Sequence, residues 1–202
     1  MGILSSGALV AIRAVRRALA IHPAAPRGAA LTCVGDLSWR DLAEIGRDLR
    51  VPTPVRRAAD QNLLVKLPGL SLGEKIALAR LADRELIPAL LTEIDPAVFA
   101  AVLTNPRLTS ELLLAWLVRA APDPAQLTRL SREPRWRSHP EVRGALFRNQ
   151  RTPRSAALGL LSGGTRAEWR RLMSEPGIDP LVAACAGRLL SGNGVDRGVS
   201  GR

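Results

Sequence analysis

Apolar residues recur along this chain at intervals of three and four, with polar residues between them. Val98, Ala101 and Val102 mark one such segment, and Leu112, Leu113, Trp116 and Leu117 mark the next. That spacing keeps one face of an α-helix apolar. The periodic segments run for roughly 8–14 residues and are separated by turn residues. Helix starts are legible as a polar cap followed by a ring that tolerates the first helical position. Thr53-Pro54, Asp95-Pro96, Asp123-Pro124, His139-Pro140, Thr152-Pro153 and Asp179-Pro180 all fit. Capping-box spacing occurs at Ser71 to Glu74 and Thr165 to Glu168, and in looser form at Ser38 to Asp41. The apolar stretch up to Ile21 is interrupted by Arg13, Arg16 and Arg17, which predicts an amphipathic helix rather than a targeting segment. Residues 1–190 are expected to form one domain. The Gly- and Ser-rich stretch 191–202 is expected to be a disordered tail.

The chain also resembles itself. With Val15 laid on Val142, an offset of 127, VRRALAIHPAAPRGAAL matches VRGALFRNQRTPRSAAL, with Pro26 over Pro153 and Leu31 over Leu158. With one gap, the match continues from Thr53–Leu64 to Asp179–Leu190. An offset of 44 sets Val98 over Val142 and Asn105 over Asn149, and an offset of 42 sets Glu133-Pro134 over Glu175-Pro176. These offsets are commensurate with a unit of 42–44 residues, read as three helices. A unit of that size buries its apolar faces only by stacking on its neighbours. The arginine-bearing first helix and the segment from Asp179 to Leu190 are the expected end caps.

D-P-x-V-x-x-A-V-L-x-N-P-x-L-T-x-x-L-L at Asp95–Leu113 and V-R-x-A-L-x-x-N-x-x-T-P at Val142–Pro153 resemble the leucine-rich repeat variant, a helical relative of HEAT and armadillo repeats. The resemblance covers most of residues 10–190. It implies an all-α, right-handed superhelix of about three repeats with partial caps, and a role in binding other macromolecules. Some members carry a cysteine-ligated iron–sulfur cluster ahead of the repeats. Cys33 and Cys185 are the chain's only cysteines, so that feature does not carry over.

Composition agrees with helix. Aromatic residues make up 3% of the chain, and Leu, Ala and Arg, all good helix formers, dominate. Two cysteines exclude a disulfide framework, and two distant histidines, His22 and His139, offer no ligand pair at helical spacing. No cofactor or metal is expected. The two thiols lie in apolar helical segments and are expected to be buried and unreactive. No apolar run is long enough to span a membrane, and a cytoplasmic location is expected.

The net charge is +11, and 27 of the 29 basic residues are arginine. Arginine-rich codon usage explains such a bias as readily as selection for a polyanion does. The excess is concentrated, however: residues 107–171 hold 13 arginines and 5 acids. Arg132, Arg135, Arg137, Arg148, Arg151 and Arg154 fall at loops, which in a solenoid line one edge. There they either bind an acidic partner or form a solvated surface. Trp136, flanked by Arg135 and Arg137, either stacks on a base or partner, or plugs the groove between units. The recurring V-R residues Arg16, Arg56 and Arg143 read as a structural ladder to the adjacent unit. Asn105 and Asn149 read as helix-end caps in a left-handed backbone or bonded to the local turn. Trp39, Trp116 and Trp169 read as core.

Catalytic signals are weak. Ser162-Gly163-Gly164-Thr165 lacks the spacing and lysine of a phosphate loop, and no Ser-His-Asp or Cys-His set is apparent. The expectation is a non-enzymatic interaction module for a protein partner, acidic in character, recognised through Arg132, Arg135, Trp136, Arg137, Arg148, Arg151 and Arg154. The alternative is sequence-independent nucleic-acid binding through the same edge. Neither a membrane nor a small-molecule substrate is indicated.

Overall fold

The computed structural model describes residues 2–22 and 24–192, with side chains from Ile12 onward. Among these residues there are fourteen α-helices and one 3-10 turn, and no strand. No described helix is long and apolar enough to cross a membrane. The chain packs as two compact units, one up to Arg107 and one from Leu108.

The first unit holds α1 (Gly2–Ile21), α2 (Arg27–Gly35), α3 (Trp39–Arg47), α4 (Thr53–Lys66), the 3-10 turn Leu67–Gly69, α5 (Leu72–Leu81), α6 (Ile87–Leu91) and α7 (Pro96–Leu103). Helix α1 packs on α2, α2 on α4, α4 on α3, and α5 on α7. Their inward faces bring together Leu42, Ile45, Leu63, Leu78, Ile87 and Leu103, all essentially inaccessible. The arginines that interrupt α1 face acids of the next helices. Arg13 reaches Asp41 at 2.7 Å, Arg16 reaches Asp36 at 2.8 Å and Arg17 reaches Glu44 at 2.6 Å. Trp39 is core, as its pattern predicts, and its Nε1 donates to Glu74 Oε1 at 2.9 Å, tying α3 to α5.

The second unit holds α8 (Ser110–Arg119), α9 (Pro124–Arg132), the single turn α10 (Pro134–Arg137), α11 (Pro140–Arg148), α12 (Arg154–Leu161), α13 (Arg166–Ser174) and α14 (Pro180–Gly192). Helix α8 packs on α11 and α9 on α12, while α14 closes over α12 and α13. Each of the first two contacts joins a helix to the third one after it. The paired helices begin thirty residues apart, at 110 and 140 and at 124 and 154. This spacing is shorter than the 42–44 residues of the sequence matches, and Pro176, matched to Pro134 at the start of α10, lies in a turn. Ala157, Leu161, Trp169, Leu172, Val182 and Ala186 form the core under α14.

Local capping follows the sequence closely. Asp95 accepts from the N–H groups of Ala97 and Val98, and complete capping boxes form at Ser71/Glu74, Asp123/Gln126 and Thr165/Glu168. Thr53 and Thr152 are not caps. Pro52 and Pro153 occupy those positions, so α4 and α12 start on Thr53 and Arg154. This slips the register of the repeat: Val55 is buried, whereas Leu181, matched to it, is 48% exposed and Val182 is buried instead. Both V-R-x-A-L segments are helical, yet Val142 is inaccessible and Val15 is 65% exposed, because the longer α1 packs chiefly on α2.

Three further expectations are corrected. Among the described residues the sole positive φ belongs to Gly177, so Asn105 and Asn149 are not left-handed caps. The other part of that reading holds: each bonds its own turn, Oδ1 accepting from the N–H of Arg107 or Arg151 at 2.8 and 3.0 Å. Asn105 is also buried, its Nδ2 donating to Ala79 and Ala82 carbonyls at the end of α5. Cys33 and Cys185 are half-buried rather than buried. Ser191 and Gly192 end α14 instead of starting a tail, and the rest of that stretch lies outside the described residues.

Candidate functional site

The arginine edge expected at 132–154 is spent largely on holding the second unit together. Arg135 donates to the Leu108 carbonyl at 2.7 Å, and its guanidinium lies 4.3 Å from the Trp136 ring centroid. Arg137 donates to the Gly159 carbonyl at 3.1 Å and to Ser162 Oγ. Arg151 donates to the Ala121 carbonyl at 3.0 Å. The Gly159 carbonyl lies in the last turn of α12, where acceptors lack an intrahelical partner, and those of Leu108 and Ala121 lie in the links on either side of α8. Arg148 and Arg154 are ion-paired, with Glu175 at 2.5 Å and Asp179 at 2.7 Å. Arg132 is exposed at the end of α9.

Trp136 is corrected as a contact residue. It lies on α10, not in a loop, and is 1% exposed, too deeply buried to stack on a base or anchor a partner. It belongs to the buried core of the second unit.

The ladder reading of the V-R residues is clearest at Arg143. It is 3% exposed, donates to Glu168 at 2.6 and 2.8 Å, and donates to the Arg137 carbonyl at 2.6 Å. Burial opposes ionisation of Glu168, but the Thr165 N–H and the Arg143 guanidinium overcome it and hold the carboxyl below its ordinary range. Arg56 stays within its own turn, bonding the Val51 carbonyl and Thr53.

Gly164 also has a structural explanation. Trp169 Nε1 donates to the Leu161 carbonyl at 3.1 Å, and its path crosses Gly164, where a Cβ would stand 2.6 Å from Nε1. Gly164 makes room for an indole.

What the second unit offers instead is a groove of about 370 Å³ between α8, α11 and α13. Leu114, Phe147 and Leu172 supply apolar walls, and Gly144 leaves the middle of α11 bare. A Cβ at Gly144 would meet nothing nearer than the Arg148 guanidinium at 3.5 Å, so close helix packing does not require glycine there. Two of the glutamates on the rim, Glu168 and Glu175, are neutralised by Arg143 and Arg148, leaving Glu141 and Arg171 as an opposed pair of charges. Sequence periodicity could not locate this groove, since Leu114 and Phe147 read simply as members of apolar faces. Glycine inside a nine-residue helix was the available signal.

No family model, curated protein or solved structure matches this chain.

Proposed function

We propose that the chain is a non-enzymatic α-solenoid scaffold of the HEAT and armadillo kind, built from leucine-rich-repeat-variant-like units, that binds a protein partner. The observation that carries this reading is the groove over Gly144, an apolar trough between helices belonging to successive layers of the second unit. Helix-in-groove and extended-peptide recognition both use such a trough, with an apolar anchor supplying most of the affinity. The rim is balanced in charge, so the groove itself selects an apolar anchor. The arginine excess around it supplies the field that draws an acidic partner and raises the encounter rate.

Selection from a random peptide library tests this. Enriched peptides should carry a large apolar residue flanked by acids, and Gly144→Trp, which fills the trough, should abolish their binding while leaving the melting temperature within a few degrees. Binding that survives Gly144→Trp would refute the assignment. A parallel salt titration with single-stranded nucleic acid should show no steep log–log dependence. A steep slope reduced by Arg132→Ala would favour the nucleic-acid reading instead.

A further inference from the structure

The first unit contains a cleft that the scaffold role does not use. It has a volume of about 330 Å³ and opens between the end of α3, the first half of α4, the α5–α6 link and Arg107. In its depth, Asp60 is 5% exposed, yet its Oδ1 has no hydrogen-bond partner. Facing it is Asp83, whose Oδ1 already accepts from the N–H groups of Glu85 and Leu86 in the turn before α6. Gly46 permits this approach: a Cβ there would stand 2.5 Å from Asp60 Oδ1 and 3.7 Å from Asp83 Oδ2. A glycine inside a helix, and an acid beside the buried Ala59 on α4, are the two sequence signals of a built polar site that periodicity passed over.

Arginines surround this recessed pair. Arg47, Arg57 and Arg107 line the cleft and are exposed, and among the described residues none of their side chains is engaged in an ion pair or hydrogen bond. The nearby acids Glu44 and Asp48 are taken by Arg17 and Arg50. This is the reverse of the second unit, where arginines are tied to carbonyls and acids. Leu49, 82% exposed, adds an apolar face to the same cleft.

The ligand must therefore bring three things: an anion for the arginines, N–H donors for the carboxyls and a flat apolar face. A simple anion would leave Asp60 unsatisfied, and a simple amine would meet the arginines. A metal ion is not suggested, because no group of three or more His, Cys, Asp or Glu among the described residues could hold one. The volume lies at the small end of the ~300–1,000 Å³ typical of small-molecule sites. We propose that this cleft binds a nucleoside phosphate, with the phosphate on Arg47, Arg57 and Arg107 and the base edge turned to Asp60 and Asp83. Guanine suits it best, since its N1–H and N2–H donors lie side by side and match one carboxylate, while arginine planes and Leu49 cover the base. This reading is independent of the groove over Gly144.

Calorimetric titration of the full chain with GMP, guanosine and inorganic phosphate tests the assignment. GMP should bind at least ~10-fold more tightly than either fragment, as expected when charge-assisted bonds are lost from one end. Asp60→Asn should weaken GMP ~10-fold or more and leave phosphate unchanged, whereas Arg57→Gln should weaken both. Thermal melts confirm that each variant is folded, and Arg107→Gln, at an exposed position, serves as a second arginine variant. A 5′-phosphorylated guanine oligonucleotide separates sources: tighter binding than GMP identifies a nucleic-acid end, and equal or weaker binding a free nucleotide. GMP binding no tighter than phosphate, GMP binding insensitive to Asp60→Asn, or no heat with any ligand would overturn the proposal.

Discussion

Replacing Asp60 by asparagine should make the protein more stable, and only above a definite pH. Burial is the main cause, and the neighbouring Asp83 and Glu85 add to it: together they push the Asp60 carboxyl up to about 7, against partial relief from Arg56. Arg47, Arg57, Arg84 and Arg107 line the same cleft. A carboxyl held more tightly protonated in the folded state than in the unfolded one contributes stability that is complete below about pH 4. That contribution is lost as pH rises through about 7. At ~1.4 kcal/mol for each tenfold displacement of the proton equilibrium, the full loss is ~4 kcal/mol.

Asparagine has the same shape and no charge, and its amide can donate to Asp83 Oδ2. We expect Asp60→Asn to gain about 2–4 kcal/mol at pH 8 and about nothing at pH 4. Urea unfolding followed by tryptophan fluorescence reads this directly, as a midpoint shift at constant slope. Parallel pH profiles for the two proteins between pH 4 and 8 would refute the account, because they would mean that Asp60 ionises freely. The same variant should lose GMP, so the cleft is a place where stability is given up for a group that binds.

The remaining predictions concern the packing. Glu168→Gln should destabilise by about 3–5 kcal/mol, because it strands the buried Arg143 charge. The double variant Arg143→Met, Glu168→Leu should recover most of that loss, and denaturant curves around the double-mutant cycle check it. Asn105→Ala leaves the Ala79 and Ala82 carbonyls without their donor and should cost about 2–3 kcal/mol by the same measurement. Gly164→Ala should cost about 1–3 kcal/mol and shift Trp169 emission, since the new methyl displaces the indole from the Leu161 carbonyl. Glu168 and Asp41, both below their ordinary range, contribute stability that is present above about pH 4 and lost as pH falls further. An acid titration followed by far-ultraviolet circular dichroism should show that loss.

Helical class and most helix starts were legible because they depend on neighbours in sequence. An Asp or Thr at a helix start, three residues before Glu or Gln, closes a capping box from local sequence, as at Thr165 and Asp123. The register of the repeat was less legible because one proline can move it. Pro52 occupies the cap position of α4, Asp179 the cap position of α14, and the matched apolar residues then face different ways. Asp60 was only half legible, because a helix glycine and an acid beside a core position can be read in sequence but their meeting cannot. Its environment is made by Gly46 from α3 and Asp83 beyond α5, and no local pattern announces that three segments meet.

The arginines carry the larger lesson about reading charge. A net +11 concentrated at 107–171 invites a polyanion. Yet a guanidinium presents five donors, and helix ends present carbonyls in need of them, so a helix-rich chain can use arginine as a structural clamp. Arg135, Arg137 and Arg151 clamp carbonyls in this way, in links as well as at a helix end, and Arg143 joins α11 to α13 through Glu168. Arginines with no such employment are therefore the informative ones. In the first unit, where the net charge of residues 1–106 is only +3, Arg47, Arg57 and Arg107 gather around one cleft without an acid or carbonyl of their own. Where arginine is plentiful, a charge total sets the field that a partner approaches through, and unengaged guanidinium groups that share a cavity mark where a ligand sits.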